Sequence, residues 1–88
     1  MFDIDNVKVG DIVATPTGRQ MFYIHNIKGG AAIMSGFGVE EEELDCVFEK
    51  DCHWIASRIL SDNEKHMFFE YIEKFGLKFD VNNGVRQC

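Results

Sequence analysis

The sequence contains no apolar run near the ~18 residues that a helix needs to cross a bilayer. Near its start Phe2 and Ile4 alternate with Asp3 and Asp5, in place of the basic segment and apolar stretch of a secretory signal peptide. We therefore expect a cytoplasmic protein that does not contact a membrane.

Cysteine is scarce. The three cysteines are odd in number and show no CxxC spacing, which argues against both a disulfide framework and the commonest zinc motifs. Proline occurs once, at Pro16, whereas eight glycines are spread along the chain. Extended segments separated by glycine turns are typical of an antiparallel sheet.

Positive charge is also limited, and no basic stripe of the kind that binds nucleic acid is present. The net charge is −6, and seven acids against a single lysine lie between residues 40 and 51, so the rest of the chain is neutral. Four of these acids are consecutive: Glu40, Glu41, Glu42 and Glu43, hereafter the acidic run. Because unpaired carboxylates are costly to bury, we expect the acidic run to lie at the surface.

Alternation and turn residues predict the extended segments. Residues 20–27 are apolar on both parities, which indicates a central strand covered on both faces. Gly36 and Gly38 predict a loop over residues 35–38, with Phe37 exposed between them. The predicted strands cover residues 12–15, 20–27, 31–34, 44–48 and, more loosely, 53–60.

One helix is predicted over residues 62–75. Ser61 and Glu64 have the spacing of a capping box, and Gly76 stands where a helix C-cap glycine belongs. Apolar residues then follow a helical period, and Phe69 alone falls off the apolar stripe. The sequence thus predicts a single α+β domain over residues 1–88, a small curled antiparallel sheet or barrel of about five strands with this helix packed on it.

Two stretches carry resemblances. The segment VKVGDIVATPTGR followed by FYIHNI is similar to the first hairpin of Src-homology-3-like barrels of the Tudor or KOW kind. The segment WIASRILSDNEKHMFFEYIEKFGLKFD resembles the closing part of small bacterial proteins encoded in phage-like and mobile elements. These resemblances imply a small barrel with a helix and an accessory role in phage or mobile-element biology.

Catalytic and metal sites find little support in the sequence. Cys52 and His53 are adjacent, and neighbouring side chains of an extended segment point to opposite faces, so the two do not pair. Cys46 with Cys52 and His53 does not match a structural zinc spacing, and His25 or His66 would have to reach Cys46 through the fold. A small metal-binding or hydrolytic protein using Cys46, Cys52 and His53 remains an alternative.

The preferred hypothesis is a non-enzymatic protein-interaction module with no cofactor and no metal. Its predicted contact residues are Phe37, Glu40, Glu41, Glu42, Glu43 and Phe69. The expected partner is a protein, and a homodimer is possible. A second alternative is an acidic anti-host inhibitor or nucleic-acid mimic that acts through the acidic run, whose field would steer a basic partner.

Overall fold

The computed structural model describes residues 2–3, 6–52, 54–55 and 58–87, and the side chains of residues 6–51 and 58–87. The order of elements is seven strands, one helix and two further strands. They are β1 (Phe2–Asp3), β2 (Ile12–Ala14), β3 (Gln20–Lys28), β4 (Ala31–Glu40), β5 (Glu43–Cys52), β6 (Trp54–Ile55), β7 (Arg58–Ile59), α1 (Asp62–Phe75), β8 (Lys78–Asp80) and β9 (Gly84–Arg86).

Five of the strands form one antiparallel sheet in the order β5-β4-β3-β2-β7. The strands β2 to β5 follow one another as a meander, and β7 then returns to pair with the far side of β2. Two short pairs, β1 with β6 and β8 with β9, complete the described strands. The predicted α+β fold, a curled five-stranded antiparallel sheet with one helix, is confirmed.

The sheet has an apolar core on each face. On one face, Met21 and Tyr23 of β3 join Phe37, Phe68 and Ile72, so this core lies between the sheet and α1. On the other face, alternate residues of the same strands, including Phe22, Ile24 and Met34, form a second core. Apolar residues on both parities of β3 therefore correspond to burial on both sides, as the sequence predicted.

Helix α1 begins and ends as its sequence dictates. The Ser61 hydroxyl accepts a hydrogen bond from the Glu64 amide at 3.3 Å, and a Glu64 carboxylate oxygen accepts one from the Ser61 amide at 3.1 Å. Gly76 adopts a left-handed conformation with φ of 67° and closes the last turn. Phe68 and Ile72 are buried, so the predicted apolar stripe is the face that packs on the sheet.

The cap makes stability depend on pH. Hydrogen bonds from Ser61 and Arg58 lower the pKa of Glu64 below its ordinary value. Since the folded pKa is depressed, the stabilisation is present above the unfolded value of about 4.3 and is lost as pH falls through the folded pKa. Glutamine also fits a capping box, so Glu64→Gln should keep the cap while it reduces the loss of unfolding free energy at low pH. Urea unfolding of the wild type and the variant between pH 7 and pH 3 measures this loss. Equal losses of unfolding free energy in the two proteins would show that Glu64 does not cause the pH dependence.

The predicted loop at residues 35–38 is wrong, because strand β4 runs through it to Glu40. Gly36 pairs with Phe22 and Gly38 pairs with Cys46 in the ladders that flank β4. A Cβ on Gly36 would overlap the Met21 carbonyl oxygen and lie 2.7 Å from the Phe22 Cα. This glycine therefore permits two strands to approach closely; it does not mark a turn.

Candidate protein-interaction surface

The acidic run forms the tip of the hairpin made by β4 and β5. Glu40 pairs with Glu43, and Glu41 and Glu42 make the two-residue turn between them. Both turn residues have positive φ, 52° for Glu41 and 64° for Glu42. Positive φ at both central positions is the signature of a type I′ turn, which normally selects Asn-Gly because other L-residues are strained there. The sequence predicted the exposure of these residues but not their turn conformation.

All four side chains of the acidic run are exposed, and none forms an ion pair with any side chain that the structure describes. The nearest cation that contacts the turn is Lys74, whose ammonium donates to the Glu42 carbonyl oxygen at 3.0 Å. That bond ties the last turn of α1 to the hairpin through the backbone and leaves the carboxylates in solvent. The run can thus present several negative charges to a partner at once.

Strand β5 continues this acidic surface. Asp45, Glu49 and Asp51 are exposed along it, and in the part of the chain with described side chains they have no ion-pair partner. The single cation of the strand, Lys50, lies over the Phe22 ring, 5.2 Å from its centroid, and 5.9 Å from that of Phe48. Since Lys50 is directed at aromatic rings, the carboxylates of β5 remain unneutralised.

Phe37 does not belong to this surface, and its predicted exposure is wrong. It is fully buried and packs against α1, with its ring centroid 5.2 Å from that of Phe68 and 6.1 Å from those of Tyr71 and Phe75. The flanking glycines suggested a flexible loop, but they lie in a central strand whose alternation turns Phe37 toward the helix. Phe37 is a core residue.

Phe69 is 42% exposed, so its predicted accessibility is confirmed, while its role in binding stays a prediction. Its ring packs edge-on against Phe68 and Phe79, with centroids 5.3 Å away in each case. The acidic run instead contacts α1 through Lys74, five residues further along the helix. Phe69 therefore marks a separate apolar surface on the helix.

Of the three residues of the metal or hydrolytic alternative, only Cys46 has a described side chain, so that alternative stays a prediction. Cys46 is an exposed free thiol on β5, and His66 is exposed on α1. The side chain of Cys52, and His53 as a whole, lie outside the described residues. No group of three or more potential metal ligands occurs within the described part of the chain.

His25 has an environment that the sequence did not indicate. It is the extra residue of a β-bulge in β3, and its Nε2 is buried without a hydrogen-bond partner. Strand β9 covers it: a Cβ on Gly84 would lie 2.8 Å from the His25 Cδ2 and would overlap the Ser35 hydroxyl. Ser35 is 1% exposed and its oxygen accepts the Val85 amide at 2.8 Å. The His25 Nε2 atom and the Ser35 hydroxyl are thus buried beneath β9, although the His25 side chain as a whole is only half-buried.

Comparison of the chain with protein-family models, curated proteins and solved structures gives no match. Within the described residues, no helix combines the length and apolar character needed to cross a membrane.

The strained turn leads to a stability prediction. Glu41→Asn with Glu42→Gly should raise the free energy of unfolding by about 1–2 kcal/mol, because Asn-Gly adopts positive φ at both positions with little strain. Urea unfolding measures the change. The control is Glu41→Gln with Glu42→Gln, which removes the same charges but keeps both side chains in the strained backbone. An equal gain in the control would show that charge repulsion, not φ, is the cause.

Proposed function

We propose that this protein is a non-enzymatic interaction module that binds a basic protein through the acidic run. The observation that carries the proposal is the hairpin itself, where two glutamates occupy turn positions that favour asparagine and glycine. A turn selected for stability alone would not place glutamates with positive φ at both central positions and flank them with two more unpaired carboxylates, those of Glu40 and Glu43. Backbone strain of this kind is often found where a protein binds a partner.

Electrostatics supports a basic partner. The acidic run and the exposed acids of β5, less the charge of Lys50, place the whole net charge of −6 on one hairpin. A concentrated field of one sign steers an oppositely charged partner and accelerates association, with a strong dependence on ionic strength. The rest of the chain contributes equal numbers of acids and bases, so it adds no net charge.

The hairpin is also anchored well enough to present these charges in a fixed arrangement. Its strands pair along most of their length, from Ala32 opposite Cys52 to Glu40 opposite Glu43. The Lys74 bond to the Glu42 carbonyl holds the turn against the C-terminal end of α1. A preorganised surface loses less conformational entropy on binding than a flexible acidic loop would.

Affinity capture with matched charge variants tests the proposal. Immobilised protein should retain specific basic proteins from a bacterial lysate at low ionic strength, and Glu41→Gln with Glu42→Gln should abolish their retention. The control, Glu70→Gln with Glu73→Gln, removes the same charge from exposed positions of α1 and should retain them. Quantitative mass spectrometry of the eluates measures the difference.

Equal loss of the captured proteins in both variants would show that net charge alone determines retention, which would contradict a site on the hairpin. Circular dichroism and thermal unfolding of each variant establish that both remain folded. If DNA displaces the captured proteins, the nucleic-acid mimic is favoured over the general interaction module, because the partner then uses one surface for both. An accessory role in phage or mobile-element biology would follow from the identity of those partners.

A further inference from the structure

One edge of the five-stranded sheet is a long strand, β5. Strand β5 pairs with β4 on one side, and no other described strand pairs with it on the other. An edge strand presents backbone N–H and C=O groups that are free to pair with another chain. The opposite edge strand, β7, spans Arg58–Ile59 in the described residues.

The usable part of this edge follows a bulge. The register of β4 and β5 shifts between Gly38 and Val39, which leaves Asp45 as an extra residue, and then runs without interruption from Cys46 to Cys52. A bulge bends and twists an edge, so added pairing is expected to stop there. The segment from Cys46 to Cys52 is long enough for an added strand of ordinary length.

The side chains of this segment specify the sequence of that strand. Glu49 and Asp51 share one face of β5, because alternate residues of a strand point the same way. On the opposite face, Phe48 is half-buried and Lys50 is drawn toward the rings of Phe22 and Phe48. A strand whose basic residues alternate with apolar ones would place cations opposite the carboxylates and apolar groups beside Phe48, and such cross-strand pairs are stabilising.

The same charges disfavour a second copy of the chain. If two β5 strands paired antiparallel with Glu49 at the centre, the two Glu49 side chains would lie opposite each other. With Lys50 at the centre, Glu49 of each strand would lie opposite Asp51 of the other. Like charges directly opposite each other destabilise a strand pair. Acidic residues at these positions therefore disfavour those two registers of self-pairing while they permit pairing with a basic segment.

We propose that the free edge of β5, from Cys46 to Cys52, binds an extended basic–apolar segment of a partner protein as a sixth strand. The inference rests on the proposed function and names the binding mode and the partner's chemistry. The acidic run attracts the partner, and the backbone of β5 then pairs with it, as in other cases of strand addition to a sheet edge.

Amide hydrogen exchange followed by NMR tests the inference with a short peptide of alternating lysine and valine, blocked at both ends. The peptide should slow exchange of the outward-facing amides between Cys46 and Cys52 by at least about fivefold, the factor that corresponds to the roughly 1 kcal/mol contributed by one new hydrogen bond. The same peptide with alternate amides N-methylated keeps every charge but loses donors, and it should give no protection. Glu49→Lys with Asp51→Lys should transfer protection to a glutamate–valine peptide.

Three results would overturn the inference. The first is equal binding of the methylated and unmethylated peptides, and the second is protection confined to residues outside β5. The third is protection of the β5 amides in the absence of peptide, in a protein that sediments as a dimer. If capture of lysate proteins still depends on Glu41 and Glu42, any of these results removes the edge mechanism and leaves the proposed function standing. If β5 is protected by the peptide but capture does not depend on those glutamates, the proposed function fails and the strand site remains.

Discussion

Replacing Gly36 by alanine is expected to destabilise the protein by more than about 4 kcal/mol, an exceptional loss for one methyl group. The new Cβ would overlap the Met21 carbonyl oxygen and approach the Met21 carbonyl carbon and the Phe22 Cα to 2.7 Å. These are backbone atoms of the neighbouring strand, so relief requires β3 and β4 to separate in the middle of the sheet. Because a domain of this kind is stable by about 5–15 kcal/mol, the variant should be largely unfolded or strongly destabilised.

The control lies two residues along the same strand. The atoms nearest to a Cβ on Gly38 would be side-chain atoms of Asp45 and Cys46 at 3.6 Å, which is an ordinary contact. Gly38→Ala should therefore change stability by no more than about 1 kcal/mol, and reduced entropy of the unfolded chain favours a gain. Urea unfolding followed by circular dichroism compares the two; similar effects would show that the strands are not as close at Gly36 as described.

The second large effect is expected for Phe37→Ala, which should lower the free energy of unfolding by about 3–5 kcal/mol. Phe37 is fully buried, and its ring contacts three aromatic residues of α1. Truncation removes the side chain that joins the sheet to the helix and leaves a cavity that the surrounding rings fill only in part. Chemical denaturation monitored by far-UV circular dichroism measures the loss.

Phe69→Ala provides the comparison, because Phe69 is aromatic, close to the same helix face and 42% exposed. Its truncation should cost about 1 kcal/mol, the value typical of a partly exposed position. A cost for Phe37→Ala no greater than that for Phe69→Ala would mean that Phe37 does not occupy the core. The pair also separates stability from binding, since capture of partner proteins through the hairpin should survive Phe69→Ala.

The sequence predicted those elements whose bounds depend on residues close to them in the chain. Ser61, Glu64 and Gly76 lie within one turn of the helix ends they determine, so the bounds of α1 were readable from spacing alone. The two-sided burial of β3 was likewise visible as apolar residues on both parities.

Contacts between distant segments were not readable. Gly36 resembled a loop residue because the reason for a glycine there, the Met21 backbone, lies on another strand. Phe37 was misplaced for the same reason. The surroundings of His25 depend on β9, which is separated from it by most of the chain. Exposure of the acidic run followed from charge, but its left-handed turn depends on the strand pairing on either side.

The hydrogen bond from Val85 to Ser35 spans 50 positions of the sequence. At translation rates of roughly 5–20 residues per second, the ribosome delivers Val85 roughly 3–10 s after Ser35. Ser35 and His25 are therefore synthesised seconds before β9, and their side of the sheet stays uncovered until β9 docks. A chain in which the β8–β9 hairpin has not yet docked should thus be accessible to chaperones and proteases on that side.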